Sequence, residues 1–399
     1  MGSDGVFSML LTKCASCAAE LGLTSGKKCG RCSTRYCGPA CQEQHWKEGG
    51  HDKLCKLIKK SGGAEQYNAN KKYAEAVAVA VEKCADDTKG QTCYICTQAL
   101  HWKTKEGLVR MCACRGTAGF AHVSCLAEQA KILFAEAEEN NLDLKVKDER
   151  WERWYTCSMC EQQYHGVVKC ALGWACWKTY VGRPETDPPR RMAMTELGNG
   201  LVSADCFEDA LVVREAELSI ERRLGADEED MLVLQSNLAM LYGELGNMEK
   251  ALSMERDVYT GHSKLRGKED SYTRSAANNY AASLLTLERF EEAKSFLRKS
   301  ITVSQRVCGG GDQYTLMMRK AYAKALYQDP AATPDDLREA VTTLEDAEPI
   351  ARRVLGGAHP ITGGFEDHLR KSRAALRARD RGDVESIREG VEAMPPGDA

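Results

Sequence analysis

Apolar residues recur at spacings of three and four in several stretches of the chain, the period of one buried face of an α-helix. Tyr73, Ala76, Val77, Ala80, Val81 and Cys84 make one such stripe, which predicts a helix inside an otherwise linker-like stretch, residues 62–90, with Cys84 a buried thiol on it. Val167, Val168, Ala171, Leu172, Trp174 and Ala175 make a second, ending near Gly182-Arg-Pro184, and predict a helix buried against its neighbours. Between the two, charged helical patterns run over 126–140 and around 148–154.

From about residue 190 the helical stripes acquire a longer period. Gly225, Gly267 and Gly309 stand 42 apart, as do Asn237 and Asn279, and Ala251 and Ala293. The next copy puts Ala340 47 after Ala293 and Gly356 47 after Gly309, an insertion of five placed between Leu326 and Ala340, where Asp329-Pro330 and Thr333-Pro334 supply a loop. Each copy holds two helices, and a repeated helix pair stacks into a solenoid because no single pair can bury its own apolar face. Small residues such as Ala239, Ala251, Ala281 and Ala293 let helices approach closely. The expected module is 190–380, four helix pairs and a closing helix over 361–379, followed by a disordered tail, 381–399.

Cysteine changes the picture of the first half. Fifteen of the nineteen cysteines precede residue 161. No run of about 18 uncharged apolar residues predicts a membrane span. Residues 1–11 lack the basic and long apolar regions of a signal peptide, and Val6 stands where a myristoylation signal after Gly2 has Ser or Thr. A cytoplasmic or nuclear chain is therefore expected, and in that reducing setting paired cysteines are better read as metal ligands than as disulfides. Charge is segmented too: ten Lys and Arg against five acids over 1–60, seventeen of each over 61–190, and twenty-eight against thirty-six over 191–399. The basic excess of the first segment is too modest to predict nucleic-acid binding.

In each of two segments, eight metal-type residues stand at ligand-like spacings. In 10–57 these are Cys14, Cys17, Cys29, Cys32, Cys37, Cys41, His51 and Cys55; in 91–185 they are Cys93, Cys96, Cys112, Cys114, His122, Cys125, Cys157 and Cys160. A tetrahedral zinc takes four such ligands, so four zinc ions are expected. On short helices, pairs four apart such as Cys37 with Cys41 and His51 with Cys55 project from one face. A finger of this size buries too little apolar surface to fold without metal. His165, Cys170 and Cys176 are too loosely spaced for a fifth site and read as core residues. The fold class is thus mainly α: two small zinc-stabilised fingers, then an α-solenoid of helix pairs.

The run Cys29-x-x-Cys32-x-x-x-Tyr36-Cys37-x-x-x-Cys41-Gln42-x-x-His45-Trp46, with His51-x-x-x-Cys55, closely resembles a MYND-type zinc finger. The resemblance implies Cys14, Cys17, Cys37 and Cys41 on one zinc and Cys29, Cys32, His51 and Cys55 on the other, with His51 favoured over its competitor His45. It also implies recognition of peptides, often proline-containing, through Gln42 and Trp46; Trp46 serves equally as a core aromatic beside the zinc helix.

In the second segment, one residue between Cys112 and Cys114, seven between Cys114 and His122, the run Cys114-Arg-Gly-Thr117 and the phrase His122-x-x-Cys125-Leu126 resemble a RING-variant, or RING-CH, finger. The resemblance implies Cys93, Cys96, His122 and Cys125 on one ion and Cys112, Cys114, Cys157 and Cys160 on the other. Such fingers are mostly ubiquitin ligases that position a ubiquitin-conjugating enzyme, a contact in which Ile95 would share. This chain departs from the pattern in three ways: Gln129 stands where relatives place a Trp, thirty-one residues separate Cys125 from Cys157, and the usual membrane helices are missing. A RING-like scaffold without catalysis is the other reading.

The repeats, as in Asn237-Leu-Ala-x-Leu-Tyr242 and Phe290-x-x-Ala293, resemble the tetratricopeptide repeats of kinesin light chains. That implies a groove for an extended peptide, with Asn237 and Asn279 offering amides to its backbone; capping of neighbouring helices is their alternative role. Three binding modules in series give two expectations: an adaptor whose partners are proteins or peptides, or a ubiquitin-protein ligase whose repeats select substrate.

Overall fold

The computed structural model describes residues 13–19, 21, 26–357 and 359–392, with side chains to residue 381 except Pro360. The expectations placed on residues 1–11 and on 393–399 lie outside the described residues. The chain divides into two compact units, Met1–Asp227 and Glu228–Ala399.

The first unit begins with a two-stranded antiparallel hairpin, β1 (Lys27–Lys28) and β2 (Arg35–Tyr36), in the register Lys27 with Tyr36 and Lys28 with Arg35. Short helices α1 (Pro39–Lys47) and α2 (His51–Lys60) follow. Pro39 opens α1, where its missing N–H costs nothing. Helix α3 (Ala64–Cys84) comes next, then a strand-poor finger leading into α4 (Val123–Glu139), α5 (Leu144–Trp151) and a single 3-10 turn (Glu152–Trp154). Three further helices close the unit: α6 (Gly166–Tyr180), α7 (Pro188–Ser203) and α8 (Phe207–Leu224).

Helix α6 is the axis of this unit, apolar all round and buried on nearly every side, from Val168 through Trp174 and Trp177 to Tyr180. Helices α3, α4 and α7 pack against it. Its crossing with α7 is close because glycine sits on both helices: a Cβ on Gly173 would stand 2.8 Å from the Glu196 carbonyl oxygen, and one on Gly200 3.0 Å from Cys170 Cα. The helix within 62–90 is present as α3, but it does more than link. It lies along α6, with Gln66 Nε2 donating to the Lys178 carbonyl at 2.9 Å. Cys84 on α3 is buried, and its Sγ stands 3.7 Å from the Arg110 carbonyl.

The thirty-one residues between Cys125 and Cys157 build a small aromatic core with Tyr180 of α6. Phe134, Trp151 and Tyr180 meet edge-on or tilted with centroids 4.8 to 6.1 Å apart, and Trp154 joins them. Arg183 clamps Glu138 through two hydrogen bonds of 2.8 Å.

The second unit is a series of helices: α9 (Glu228–Glu244), α10 (Met248–Arg266), α11 (Ser271–Thr286), α12 (Phe290–Cys308), α13 (Gln313–Gln328), α14 (Pro334–Leu355) and α15 (Pro360–Glu392). The closing helix therefore runs past residue 379, to Glu392. The first of the four helix pairs, α7 with α8, belongs to the first unit.

The periodic glycines stop the second helix of each pair. Gly225, Gly267, Gly309 and Gly356 follow α8, α10, α12 and α14 at φ of 76°, 82°, 80° and 90°, which L residues rarely adopt. The five-residue insertion splits in two. The α13–α14 loop, 329–333, has two residues more than 245–247 or 287–289, and the other three lengthen the start of α14. There Thr333 and Asp336 form a capping box, the Thr333 hydroxyl accepting from the Asp336 N–H at 3.1 Å. Ala281, Ala293, Ala323 and Ala340 are wholly buried in one core with Leu284, Leu297, Leu316, Leu326 and Leu344.

Candidate metal centres

Four groups of donor atoms form in the first unit. They are Cys14, Cys17, Cys37 and Cys41; Cys29, Cys32, His51 and Cys55; Cys93, Cys96, His122 and Cys125; and Cys112, Cys114, Cys157 and Cys160. Within each group all four ligand atoms lie within 4.8 Å of one another. All nineteen cysteines are free thiols.

Distances test whether zinc fits. Metal–sulfur bonds of about 2.3 Å on a tetrahedron imply sulfur–sulfur edges of about 3.8 Å, and sulfur–nitrogen edges slightly shorter. The Sγ atoms of Cys17 and Cys37 are 3.7 Å apart, those of Cys29 and Cys55 3.8 Å, and those of Cys114 and Cys157 3.8 Å. Cys37 and Cys41 are closer, at 3.3 Å. His51 Nε2 lies 3.4 Å from Cys32 Sγ, and His122 Nδ1 lies 3.3 and 3.6 Å from the Cys96 and Cys125 sulfurs. Donor type, number and spacing fit four zinc ions.

Without a cation the thiols of a group do not all ionise: one in each group, Cys14, Cys29, Cys93 or Cys160, is lowered, and others are pushed up. Burial pushes Cys55 up to about 12 and Cys114 up to about 11, and contact with Cys37 pushes Cys41 up to about 12. Cys14 goes the other way, to about 6: burial opposes its thiolate, but backbone N–H groups of Cys17 and Cys37 outweigh it. A divalent cation is what lets four crowded thiols ionise together.

Local structure explains the placement. His51 and Cys55 sit one turn apart on α2, facing the same way. Cys37 is not on a helix with Cys41 as their spacing suggests. It precedes the extended Gly38 that caps α1, and the turn there brings the two sulfurs together. His122 caps α4, with Nε2 3.3 Å from the Ala99 carbonyl; that contact leaves Nδ1 free to face Cys96 and Cys125. Outer contacts support the sulfurs: Thr34 Oγ1 lies 3.1 Å from Cys32 Sγ, and the Ile95 N–H points at Cys93 Sγ from 3.4 Å. Gly119 is required beside Cys114, since at φ 84° any Cβ would lie 2.6 Å from that residue's own Cβ.

His45 and His51 part company. His45 is buried outside the donor groups, shares a 3.0 Å hydrogen bond with the Tyr36 hydroxyl and stacks on the His51 ring at 5.1 Å. Trp46 leans its edge on His51 yet stays 41% exposed, and Gln42 beside it on α1 is half-exposed. In the second finger Ile95 is 37% exposed and Met159 also faces solvent. Tyr94 and Ser158, their neighbours, share a 3.0 Å hydrogen bond that ties the loops of the two centres. Gln129 is half-exposed on α4. His165, Cys170 and Cys176 form no donor group among the described residues. Both thiols are buried, and burial, reinforced by Cys206 and Asp209 nearby, carries Cys170 up to about 12.

Two interleaved pairs of Cys/His centres followed by repeated helix pairs define a zinc-finger and helical-repeat protein, built to support a multidomain protein-interaction adaptor. Residues 14–55 match the MYND finger model, 93–142 the RING-variant domain and 273–313 a tetratricopeptide repeat. The RING-variant match ends before Cys157 and Cys160, which the α4–α5 insertion carries away in sequence and the fold returns. The chain is 26% identical over 194 residues, 47% of its length, to a clustered mitochondria protein homolog of Coccidioides immitis (strain RS), of which it spans 15%. Similar solved structures include BtubC (BKLC) of P. vanneervenii, at 15% identity over 69% of this chain and 95% of that one with a TM-score of 0.39. They also include the kinesin light chain TPR-like repeats of Podosopora anserina, at 18% identity over 59% and 98% with a TM-score of 0.40. The superpositions are loose, and the repeat architecture stands on the helix pairs themselves. No helix among the described residues is long and apolar enough to cross a membrane.

Proposed function

We propose that this chain is a cytoplasmic or nuclear adaptor holding one zinc ion in each of the four donor groups and binding peptide segments through two surfaces. The first is Gln42 with Trp46 on α1 of the MYND-type finger. The second is the repeat groove, where Asn237 and Asn279 face peptide backbone. The observation that carries the repeat reading is a pair of amides at the same place in successive copies, 42 residues apart, each half-exposed and without a hydrogen-bond partner among the described residues. An amide that capped a neighbouring helix would have one. For Trp46, an indole both braced on the zinc helix and open to solvent suits a hydrophobic peptide. Capture of short extended peptides from a displayed library tests both surfaces. Binders should be lost in two separable classes, one with Trp46→Ala and one with Asn237→Ala/Asn279→Ala; selected peptides indifferent to all three changes refute the reading.

The exposed Ile95 and Met159, on loops joined through Tyr94 and Ser158, favour a second reading, a ubiquitin ligase whose RING-variant finger docks a ubiquitin-conjugating enzyme. Discharge of ubiquitin from a panel of charged conjugating enzymes decides it. A ligase accelerates discharge and Ile95→Ala removes the effect; no acceleration with any of them leaves the adaptor alone.

A further inference from the structure

Helices α10, α11 and α12, with Lys268 of the α10–α11 loop and Met318 of α13, line a partly open cavity of about 90 Å³, room for several waters. Two of its lining residues, Thr273 and Arg274, are polar and incompletely partnered where the other copies of the repeat are apolar or internally satisfied. Arg274 stands in register with Leu232 and Leu316, 42 residues either side, both buried leucines. It too is buried, at 8% exposed, and although one terminal nitrogen holds Asp312 at 2.6 Å, its Nε has no partner.

Thr273 is the more telling residue. The same position holds Thr315 and Thr362 in the copies that follow, and both hydroxyls are occupied. Thr315 Oγ1 shares a 2.6 Å hydrogen bond with Ser304, and Thr362 Oγ1 donates to the Gly356 carbonyl at 2.9 Å. In this copy His262 replaces the serine equivalent to Ser304, and Thr273, 1% exposed, is left with an unpartnered hydroxyl lining the cavity. A buried hydroxyl with no partner is destabilising, and a ligand that accepts its hydrogen bond would remove that cost.

Part of the positive charge around the opening is uncommitted. Arg266, Arg274 and Arg306 nearby are held by Glu229, Asp312 and Glu269 respectively. Lys268 and Lys299, which also line the cavity, make no ion pair among the described residues. Ser300 adds a hydroxyl, and Tyr259 and Phe296, edge to face at 5.0 Å, make one wall rigid and apolar.

We propose that this cavity binds a phosphate group. Two ammonium groups, a guanidinium N–H and two hydroxyls suit a tetrahedral oxyanion with three or more acceptor oxygens better than a planar carboxylate with two. The site is separate from the peptide groove. Asn279 lies five residues beyond Arg274 and two beyond Ala277, roughly half a turn round α11 at about 100° per residue. The phosphate is either that of a small free ester or anion, or one carried on a side chain of a protein.

Calorimetric titration of the full chain with inorganic phosphate, phenyl phosphate and a phosphoserine peptide, each against chloride at matched ionic strength, tests this. Saturable one-to-one binding is expected, weakened at least tenfold by Lys268→Ala/Lys299→Ala and by the near-isosteric Thr273→Val. The lysine pair is on the surface, so it decides the matter if the Thr273 variant fails to fold. A tighter peptide assigns a protein-borne phosphate, and tighter inorganic or phenyl phosphate assigns a free one. Phosphate no better than chloride, or variants that bind like the wild type, would overturn the site.

Discussion

The first finger and the repeat unit solve the same problem with different atoms. The finger's buried cluster is Cys14, Leu21, Cys29, Cys32, Tyr36, Cys55, Ile58 and Ala64, so half of it is metal-donor sulfur. The core of the repeats is leucine and alanine with a few aromatics and no cysteine at all. One region is closed by bonds to an ion, the other by apolar area removed from water. Damage should therefore spread differently: a lost ligand removes a whole centre, whereas a lost methyl group lowers the stability of a unit by a graded amount.

The sharpest break in that contrast is Cys157→Ser. It should lower the zinc content from four ions to three and open the second finger, since a structural site contributes of order 10 kcal/mol. Elemental analysis with limited proteolysis between α4 and α6 reads both, and unchanged zinc content would contradict the assignment. In the repeats, Leu297→Ala removes a wholly buried side chain and should cost about 2 to 5 kcal/mol while leaving all four ions in place.

A smaller effect comes from Glu255 on α10. By the repeat period it occupies the place of the buried leucines Leu297 and Leu344, it is 4% exposed, and its Oε2 has no partner. Burial raises its carboxyl to about 7 from an ordinary value of 4.5. The folded state thus holds a proton that the unfolded chain releases, so stability is full below the ordinary value and falls as pH rises through 7. Glu255→Gln should flatten that arm, gaining roughly 2 to 3 kcal/mol at pH 8; urea titrations at pH 5 and 8 check it. His262 on the same helix is lowered by burial and acts at the other end, losing stability as pH falls below its ordinary value, an arm the substitution leaves intact. Smallest is Gly309→Ala, at φ 80° and ψ 173°, a conformation nearly confined to glycine, with an expected loss of about 1 to 3 kcal/mol in thermal unfolding.

The ligand groups were legible because each donor's type and spacing is local information. Interleaving followed from resemblance, and only the assignment of His51 over His45 needed a choice; burial of His45 against Tyr36 shows why the second histidine is there. Helix pairs were legible from the 42-residue period, including the glycines that end them. What the pattern hid is long-range or context-dependent. Nothing near Gly173 or Gly200 in sequence says that the two helices meet there, which is what makes α6 an axis and α3 more than a linker. Arg274 and Glu255 are charged, so a reading by polarity places them outside, although the repeat register puts both at leucine positions. Comparing the copies position by position would have found them.

The contrast between the two regions is tested most directly by hydrogen exchange on the full chain before and after zinc is withdrawn with a strong chelator. Amides of residues 26–60 and 93–165 should lose protection as four ions are released, while those of α11 to α14 keep theirs. Protection retained in the fingers after the metal has gone, or lost in the repeats together with it, would contradict the account.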